Sequence, residues 1–280
     1  MIPNEFDYYA PATLDEALRL LGERAGEAKV LAGGHSLIPL MKLRLAAPAA
    51  LIDLRNLREL RGISESGGAV RIGAATTHAE IAGSDLVRSR APALAQAAAE
   101  IGDRQVRARG TIGGSLAHAD PAADFPAPML ALDAEIVVKS LRGERRIAAA
   151  EFFRGLLETA LEPDEIITDV RVSAAPRSAY AKFPNPASHY AIAGVAVALA
   201  GDGAVSAARV AVTGAAPAAF RAEAAEAALT GKALGAETIA AAARAAYDGR
   251  ELLGDIHASA GYRAHLISVM TRRALEKLTA

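Results

Sequence analysis

Ala32-Gly33-Gly34-His35-Ser36-Leu37 leaves a short apolar segment, Lys29 to Leu31, that reads as a buried strand, and enters a helical turn at Leu37 to Met41. Tandem glycines let the backbone reach positive φ and approach a partner with no Cβ in the way. Successive N–H groups at such a turn form an anion nest, which suits a diphosphate. Further along, Gly110-Thr111-Ile112-Gly113-Gly114-Ser115 runs into Leu116-Ala117-His118-Ala119-Asp120-Pro121-Ala122-Ala123-Asp124. It repeats the same chemistry of paired glycines and flanking hydroxyls. Two such loops would grip the two ends of an extended phosphate ligand, although each alone also reads as an ordinary tight turn.

Around the first loop, short strands alternate with short helices. Thr13-Leu14-Asp15-Glu16 is a capping box for a helix with Leu14, Ala17, Leu18 and Leu21 on one face, ended by Gly22. Ala50 to Leu54 reads as a strand, and Ile63 to Ile72 as a hairpin about Gly67-Gly68. Thr77-His78-Ala79-Glu80 is a second capping box, and Pro92 introduces a helix over Ala93 to Ile101. Arg109 to Ser115 reads as turn-rich. Glu135 to Lys139 and Arg145 to Ile147 flank Arg142-Gly143 as a hairpin, and Glu165 to Val172 alternates as a strand.

Ala174 to Pro176 is the weakest stretch for regular structure and marks a domain boundary. Beyond it come strands at Tyr180–Phe183, Tyr190–Ala200 and Val205–Val212, with Gly201-Asp202-Gly203 turning the second into the third. Helices follow near Ala222–Leu229, Ala236–Tyr247 and Ser259–Leu278. Strands followed by helices predict an α+β domain with helices on one face of an antiparallel sheet. No internal repeat is visible.

The 280 residues suit two domains, and 52% hydrophobic with 22% charged residues excludes a disordered chain. A formal net charge of −1 gives no global pull toward nucleic acid or anionic membrane. With no cysteine, this chain cannot supply a disulfide, a thiolate zinc site, a cysteine nucleophile or the usual ligands of an iron–sulfur cluster. The start, MIPNEFDYYAP, has no basic segment followed by an apolar run, and the longest apolar stretch, Ala191 to Ala200, is about half a membrane span. A cytoplasmic protein is the expectation. A core rich in alanine and free of tryptophan relies on close packing of small side chains.

Familiar nucleotide signatures are missing, both G-x-x-x-x-G-K-[ST] and G-x-G-x-x-G. Gly34-His35-Ser36-Leu37-Ile38 begins like a nucleophile elbow but lacks its last glycine. His118, Asp120 and Asp124 offer mixed nitrogen and oxygen ligands, so a metal-dependent hydrolase is one alternative; the same residues also read as a polar loop with a turn at Asp120-Pro121. A non-catalytic scaffold subunit is another. Arg104, Arg107 and Arg109 form a basic cluster that suits phosphate or a protein partner, or a solvated surface. His35 and His78 read as solvent-facing, His189 precedes a strand, and His257 and His265 lie in the helical C-terminal region.

AGGHSLIPLMKLRL (residues 32–45) followed by TIGGSLAHADPAAD (111–124) resembles the FAD-binding medium subunit of molybdenum hydroxylases, the group of aerobic carbon monoxide dehydrogenase and xanthine dehydrogenase. IPNEFDYYAPATLDEAL (2–18) and YAKFPNPASHYAIAGVAVAL (180–199) extend the resemblance over essentially the whole chain. It implies a PCMH-type FAD domain over residues 1–175, with subdomains of about 1–56 and 57–175, followed by a C-terminal domain over 176–280.

By matching motifs, Val30, Leu31, Ala32, Gly33, Gly34, His35, Ser36 and Leu37 line the cofactor in the first loop, and Thr111, Ile112, Gly113, Gly114 and Ser115 in the second. Asp124 matches the aspartate that closes the second motif, Lys182 a lysine near the flavin, and Tyr190 an aromatic residue able to cover one face of the isoalloxazine. Ile101 and Ile167 match apolar contact positions. FAD is expected to bind non-covalently. Position 115 is Ser where several members, carbon monoxide dehydrogenases included, have Asn; the shorter side chain argues against assigning carbon monoxide in particular. The resemblance further implies a small subunit with [2Fe–2S] clusters, a large molybdopterin subunit, a dimer of heterotrimers and an external electron acceptor. The substrate would be oxidised on the large subunit, with no catalytic side chain required here.

Overall fold

The computed structural model describes residues 2–247 and 249–279. Met1 and Ala280, the outer ends of the two expected domains, lie outside the described residues, as does Asp248. Among the described residues three sheets of three or more strands follow one another along the chain, with a two-stranded ribbon before the last strand of the second and helices packed among them.

The first sheet holds β1 (Asp7–Tyr9), β2 (Ala28–Leu31) and β3 (Ala50–Asp53), all parallel, in the order β1-β3-β2. The crossover helix α1 (Leu14–Glu23) buries Ala17, Leu18 and Leu21 against this sheet. Full burial of each leucine contributes ~2 kcal/mol. Thr13 caps α1 by accepting from Glu16 N, but the Glu16 carboxylate accepts from Ala12 N, so only half of the expected box closes. Gly22 does not end the helix. The chain turns at Gly26, where φ is +86°, a conformation that glycine adopts without strain. A short helix, α2 (Leu37–Lys42), links β2 to β3.

The second sheet starts with the hairpin β4 (Ile63–Ser66) and β5 (Ala69–Gly73). Helices α3 (His78–Gly83), α4 (Asp85–Arg90), α5 (Pro92–Glu100), α6 (Arg104–Arg109), α7 (Ile112–His118) and α8 (Pro126–Ala131) follow. The Thr77–Glu80 capping box forms in full at the start of α3. The hairpin β6 (Glu135–Ser140) and β7 (Gly143–Ala148) returns to the sheet, followed by the short helix α9 (Ala149–Phe152) and a ribbon of β8 (Phe153–Gly155) and β9 (Glu158–Thr159). β10 (Ile166–Ser173) then inserts between the two hairpins, giving the antiparallel order β4-β5-β10-β6-β7. Val70, Ile72, Val170, Val172, Ile136 and Val138 pack with Leu94, Ile112, Leu116 and Phe125 from the helices.

The segment expected to be turn-rich, Arg109 to Ser115, is instead the junction of two helices. Asp103 caps α6 and Thr111 caps α7, so short side chains satisfy the first-turn donors that the sequence left open.

The third sheet is the antiparallel meander β11 (Ser178–Pro184), β12 (Ala191–Ala200), β13 (Ala207–Thr213) and β14 (Phe220–Arg221). One face, with Ala181, Val195, Val197, Val210 and Val212, packs on α10 (Glu223–Leu229), α11 (Ala236–Ala245) and α12 (Ala260–Glu276). The opposite face, with Tyr180, Ala196, Ala198 and Ala211, joins the core of the second sheet's helices. Burial on both faces explains why Ala191 to Leu199 is apolar without alternation. The architecture is α+β throughout, and no helix among the described residues is long and apolar enough to cross a membrane.

Candidate functional site

A cleft of about 830 Å³ runs between the first two sheets and reaches the edge of the third. Its walls include the loop after β2, the start of α7, Ile101, Asp124, Ile167 and Tyr190. The volume lies in the range of ligand sites rather than of packing defects.

The loop after β2 supplies backbone. Gly34 adopts φ +77°, and the Gly34 and Ser36 carbonyls accept from Ile38 N and Leu40 N. The N–H groups of Gly33, Gly34, His35, Ser36 and Leu37 find no acceptor among the described residues. A run of unclaimed donors beside a cleft is an anion nest, and its natural occupant is a phosphate or diphosphate. Gly33 itself serves packing. A Cβ there would collide with the Arg109 carbonyl and lie 2.8 Å from Gly110 Cα, so the missing side chain lets the two glycine loops touch.

The second loop differs. Ile112 N donates to Thr76 O at 3.1 Å, Gly113 N to Ala74 O at 2.9 Å, Gly114 N to Thr111 Oγ1 at 3.2 Å and Ser115 N to Thr111 O at 3.0 Å. Its donors are spent inside the protein, so the nest expected there from the paired glycines does not form. Gly113 is needed for contact, since a Cβ would lie 2.7 Å from Ala74 Cβ. What this loop offers the cleft is the half-buried Ser115 side chain and the surface of Gly114.

Asp124 is buried in the cleft wall. Lys182 Nζ lies 2.9 Å from each of its oxygens, and Tyr180 Oη donates to Oδ1 at 2.6 Å. Lys182 also donates to the Glu100 carbonyl at 2.9 Å, at the C-terminal end of α5, where the helix dipole favours a cation. Burial pushes the Asp124 carboxyl up, while Lys182 and the Tyr180 hydrogen bond pull it back. Burial and the neighbouring Asp124 charge hold the Tyr180 phenol well above its ordinary value, so it stays a donor.

Of the residues expected around the cofactor, Val30, Leu31, Ala32, Gly33, Gly34, His35, Ser36, Leu37, Ile101, Thr111, Gly113, Gly114, Ser115, Asp124, Ile167 and Tyr190 line this one cleft. Ile112 points into the core, and Lys182 sits behind Asp124 with its side chain 1% exposed, so neither is a lining residue. Tyr190 is 42% exposed.

Three features went unread in the sequence. His78 is not solvent-facing: it is buried, edge-on to Phe125 at 5.1 Å, against Gly110, with Nδ1 unpartnered. Burial above all, then the nearby His35 and Arg107, lowers its pKa to about 4. Tyr180 carried no motif of its own. Leu157 to Pro163 form a further stretch of wall, for which only the positive φ at Leu157 (57°), invisible in sequence, is a signal.

The metal alternative fails on its donors. Asp120 Oδ1 accepts from Ala122 N at 2.8 Å and Asp124 is committed to Lys182 and Tyr180. Among the described residues no group of three His, Asp or Glu side chains is placed to hold a metal. In the basic cluster, Arg107 donates to the Ile101 and Gly102 carbonyls and braces the turn before α6, while Arg104 and Arg109 are exposed.

Five consecutive unclaimed donors among the described residues, a long cleft and a buried charged wall make a site suited to a phosphate-bearing ligand held by backbone. The donor set fits the diphosphate of a dinucleotide. The chain matches the FAD binding domain in molybdopterin dehydrogenase over residues 4–175 and the CO dehydrogenase flavoprotein C-terminal domain over residues 178–278. It is 43% identical over 279 residues to the carbon monoxide dehydrogenase medium chain of Hydrogenophaga pseudoflava, covering 98% of this chain and 97% of that one. It is 40% identical over 282 residues to the 6-hydroxypseudooxynicotine dehydrogenase complex subunit alpha of Paenarthrobacter nicotinovorans, covering 99% and 95%. The solved carbon monoxide dehydrogenase of Hydrogenophaga pseudoflava that lacks the Mo-pyranopterin moiety superposes with a TM-score of 0.94 at 46% identity, over 99% of this chain and 98% of that one. The chain belongs to the family of FAD-binding medium subunits of molybdenum-containing dehydrogenases. This membership supports neither the hydrolase nor the scaffold alternative.

Proposed function

We propose that this chain binds FAD non-covalently in the cleft and relays electrons from [2Fe–2S] clusters of a small partner subunit to an external acceptor. The electrons originate at a large molybdopterin subunit, in a dimer of heterotrimers located in the cytoplasm. The observation that carries this reading is the row of unclaimed N–H groups from Gly33 to Leu37 opening on the cleft. When bound, FAD supplies the redox chemistry, for which no side chain here is needed.

The chain's own part is to bind and orient. Val30, Leu31, Ala32, Ile101 and Ile167 supply apolar wall, the first loop holds the diphosphate, and Thr111, Gly113, Gly114 and Ser115 shape the opposite side. Ile112 supports the second loop from the core, and Lys182 acts on the flavin through Asp124. Tyr190, at the rim, supplies an aromatic ring able to cover one face of the isoalloxazine. Residues 1–175 form the FAD domain, in subdomains of about 1–56 and 57–175, and 176–280 the C-terminal domain. Arg104 and Arg109 contribute to the polar rim of the partner interface, where charge acts mainly on association rate and salt sensitivity.

The purified chain is expected to be yellow with about one FAD per chain, released intact on denaturation. Gly33→Val, which drives a side chain between the two loops, should abolish flavin retention. A wild-type chain that stays colourless after incubation with FAD would overturn the reading, as would isolation from the native host with no molybdenum and iron–sulfur subunits attached.

A further inference from the structure

The segment that carries Asp124 is tied to the third sheet by its carbonyls. Gly214 N donates to Pro121 O at 2.8 Å, Ala191 N to Ala122 O at 3.1 Å, and the single Thr213 hydroxyl proton is shared between Ala123 O (2.7 Å) and Pro121 O (3.0 Å). Asp124 itself is fixed by Tyr180 and Lys182, two residues apart on β11 and therefore on the same face of that strand.

The niche for Tyr180 is built. Tyr180 is fully buried, and β12 passes beside it with Gly194, where a Cβ would collide with the Tyr180 hydroxyl and lie 3.0 Å from Thr213 Cγ2. Gly194 has no positive φ to explain it. Its lack of a side chain is what lets the phenol reach Asp124. The Tyr180 backbone is also pinned, its N–H to Gln96 Oε1 at 2.9 Å and its carbonyl to Lys277 Nζ at 2.5 Å.

We propose that Tyr180, seated in the space that Gly194 leaves, is a positioning residue for the flavin site: it fixes the Asp124 carboxylate in the cleft wall, so that the C-terminal sheet sets flavin affinity and potential. This rests on the reading of the cleft as the FAD site. A buried carboxylate with two donors on one side presents its remaining lone pairs in a fixed direction. Without the phenol, its charge toward the cleft is less neutralised, and adding electrons beside it becomes harder.

The test uses the full chain loaded with FAD, in wild type, Tyr180→Phe, Gly194→Ala and the control Tyr262→Phe, whose exposed ring lies on α12 and does not line the cleft. Measured are the FAD dissociation constant by flavin fluorescence, the visible spectrum and the midpoint potential. Y180F keeps the buried ring and loses one oxygen; G194A keeps the oxygen and displaces it. Both are expected to bind FAD roughly tenfold more weakly, as for loss of one charge-assisted hydrogen bond, and to show a more negative potential. Y262F should match wild type. Should Y180F not fold, G194A carries the same test. Folded Y180F or G194A with wild-type affinity, spectrum and potential overturns the positioning role while leaving the FAD site standing. A wild-type chain without flavin overturns the FAD reading itself.

Discussion

The two glycine loops face one cleft, and each places a Gly-Gly pair within a turn of a helix start. After β2 the pair leaves five backbone donors, from Gly33 to Leu37, without an acceptor among the described residues. At α7 the corresponding donors are taken by Ala74, Thr76 and Thr111, and Gly113 makes room for Ala74 while Gly114 makes room for the Thr111 hydroxyl. Both pairs remove side chains so that structure can close, at Gly33 against Arg109 and Gly110 and at Gly113 against Ala74, but only the first also exposes polar backbone to a ligand. The same dipeptide therefore marks packing in both loops and binding in one. The difference lies in which neighbours the fold brings to the N–H groups.

If the second loop is a packing element, substituting it should damage the fold first. Gly113→Val forces a side chain into Ala74, and overpacking of a site with no room to move costs about 3 kcal/mol or more. Urea unfolding of the flavin-free chain measures this. A stable G113V chain that has lost only its flavin would reverse the comparison.

His78, wedged against Gly110 at the second loop, adds a pH dependence. With its pKa lowered to about 4, the folded protein resists a proton that the unfolded chain accepts near pH 6.5. This contribution is complete above pH 6.5, declines as the pH falls, and is lost at about pH 4 and below. It amounts to about 3 kcal/mol, set against any opposing carboxylate effects. His78→Phe should flatten the slope of stability between those limits; an unchanged slope would place the acid sensitivity elsewhere.

A smaller effect is expected at the cap. Thr111→Ala removes the acceptor for Gly114 N and should cost about 1 kcal/mol of stability. Ser115→Ala, whose hydroxyl has no partner among the described residues, should leave stability unchanged and weaken FAD binding by up to roughly tenfold. Unfolding midpoints and fluorescence titrations of the two variants, made side by side, separate the roles.

Much of this was legible in the chain. Gly67-Gly68 and Gly201-Asp202-Gly203 placed their hairpins, Thr77 and Pro92 placed helix starts, and residues 32–37 and 111–115 identified the loops that meet at the cleft. What escaped depends on contacts distant in sequence. β10 read as a strand, but its place between β5 and β6 follows from a return across the sheet. Helix α7 contains Gly113 and Gly114, which lower helix propensity, and packing with the Thr111 cap overrides it; α6 is a six-residue helix between Gly102 and Gly110, too short for a periodic pattern to show. Tyr180 looked like one more strand residue, because its partner, Asp124, lies fifty-six positions earlier.

The unequal use of the two loops is tested most directly by amide hydrogen exchange of the full chain with and without FAD. The account predicts fast exchange at Gly33 to Leu37 in the flavin-free chain and strong protection there on binding. Ile112 to Ser115 should already be protected without flavin and change little. Slow exchange in the first loop before FAD is added, or protection that appears on binding only in the second, would contradict it.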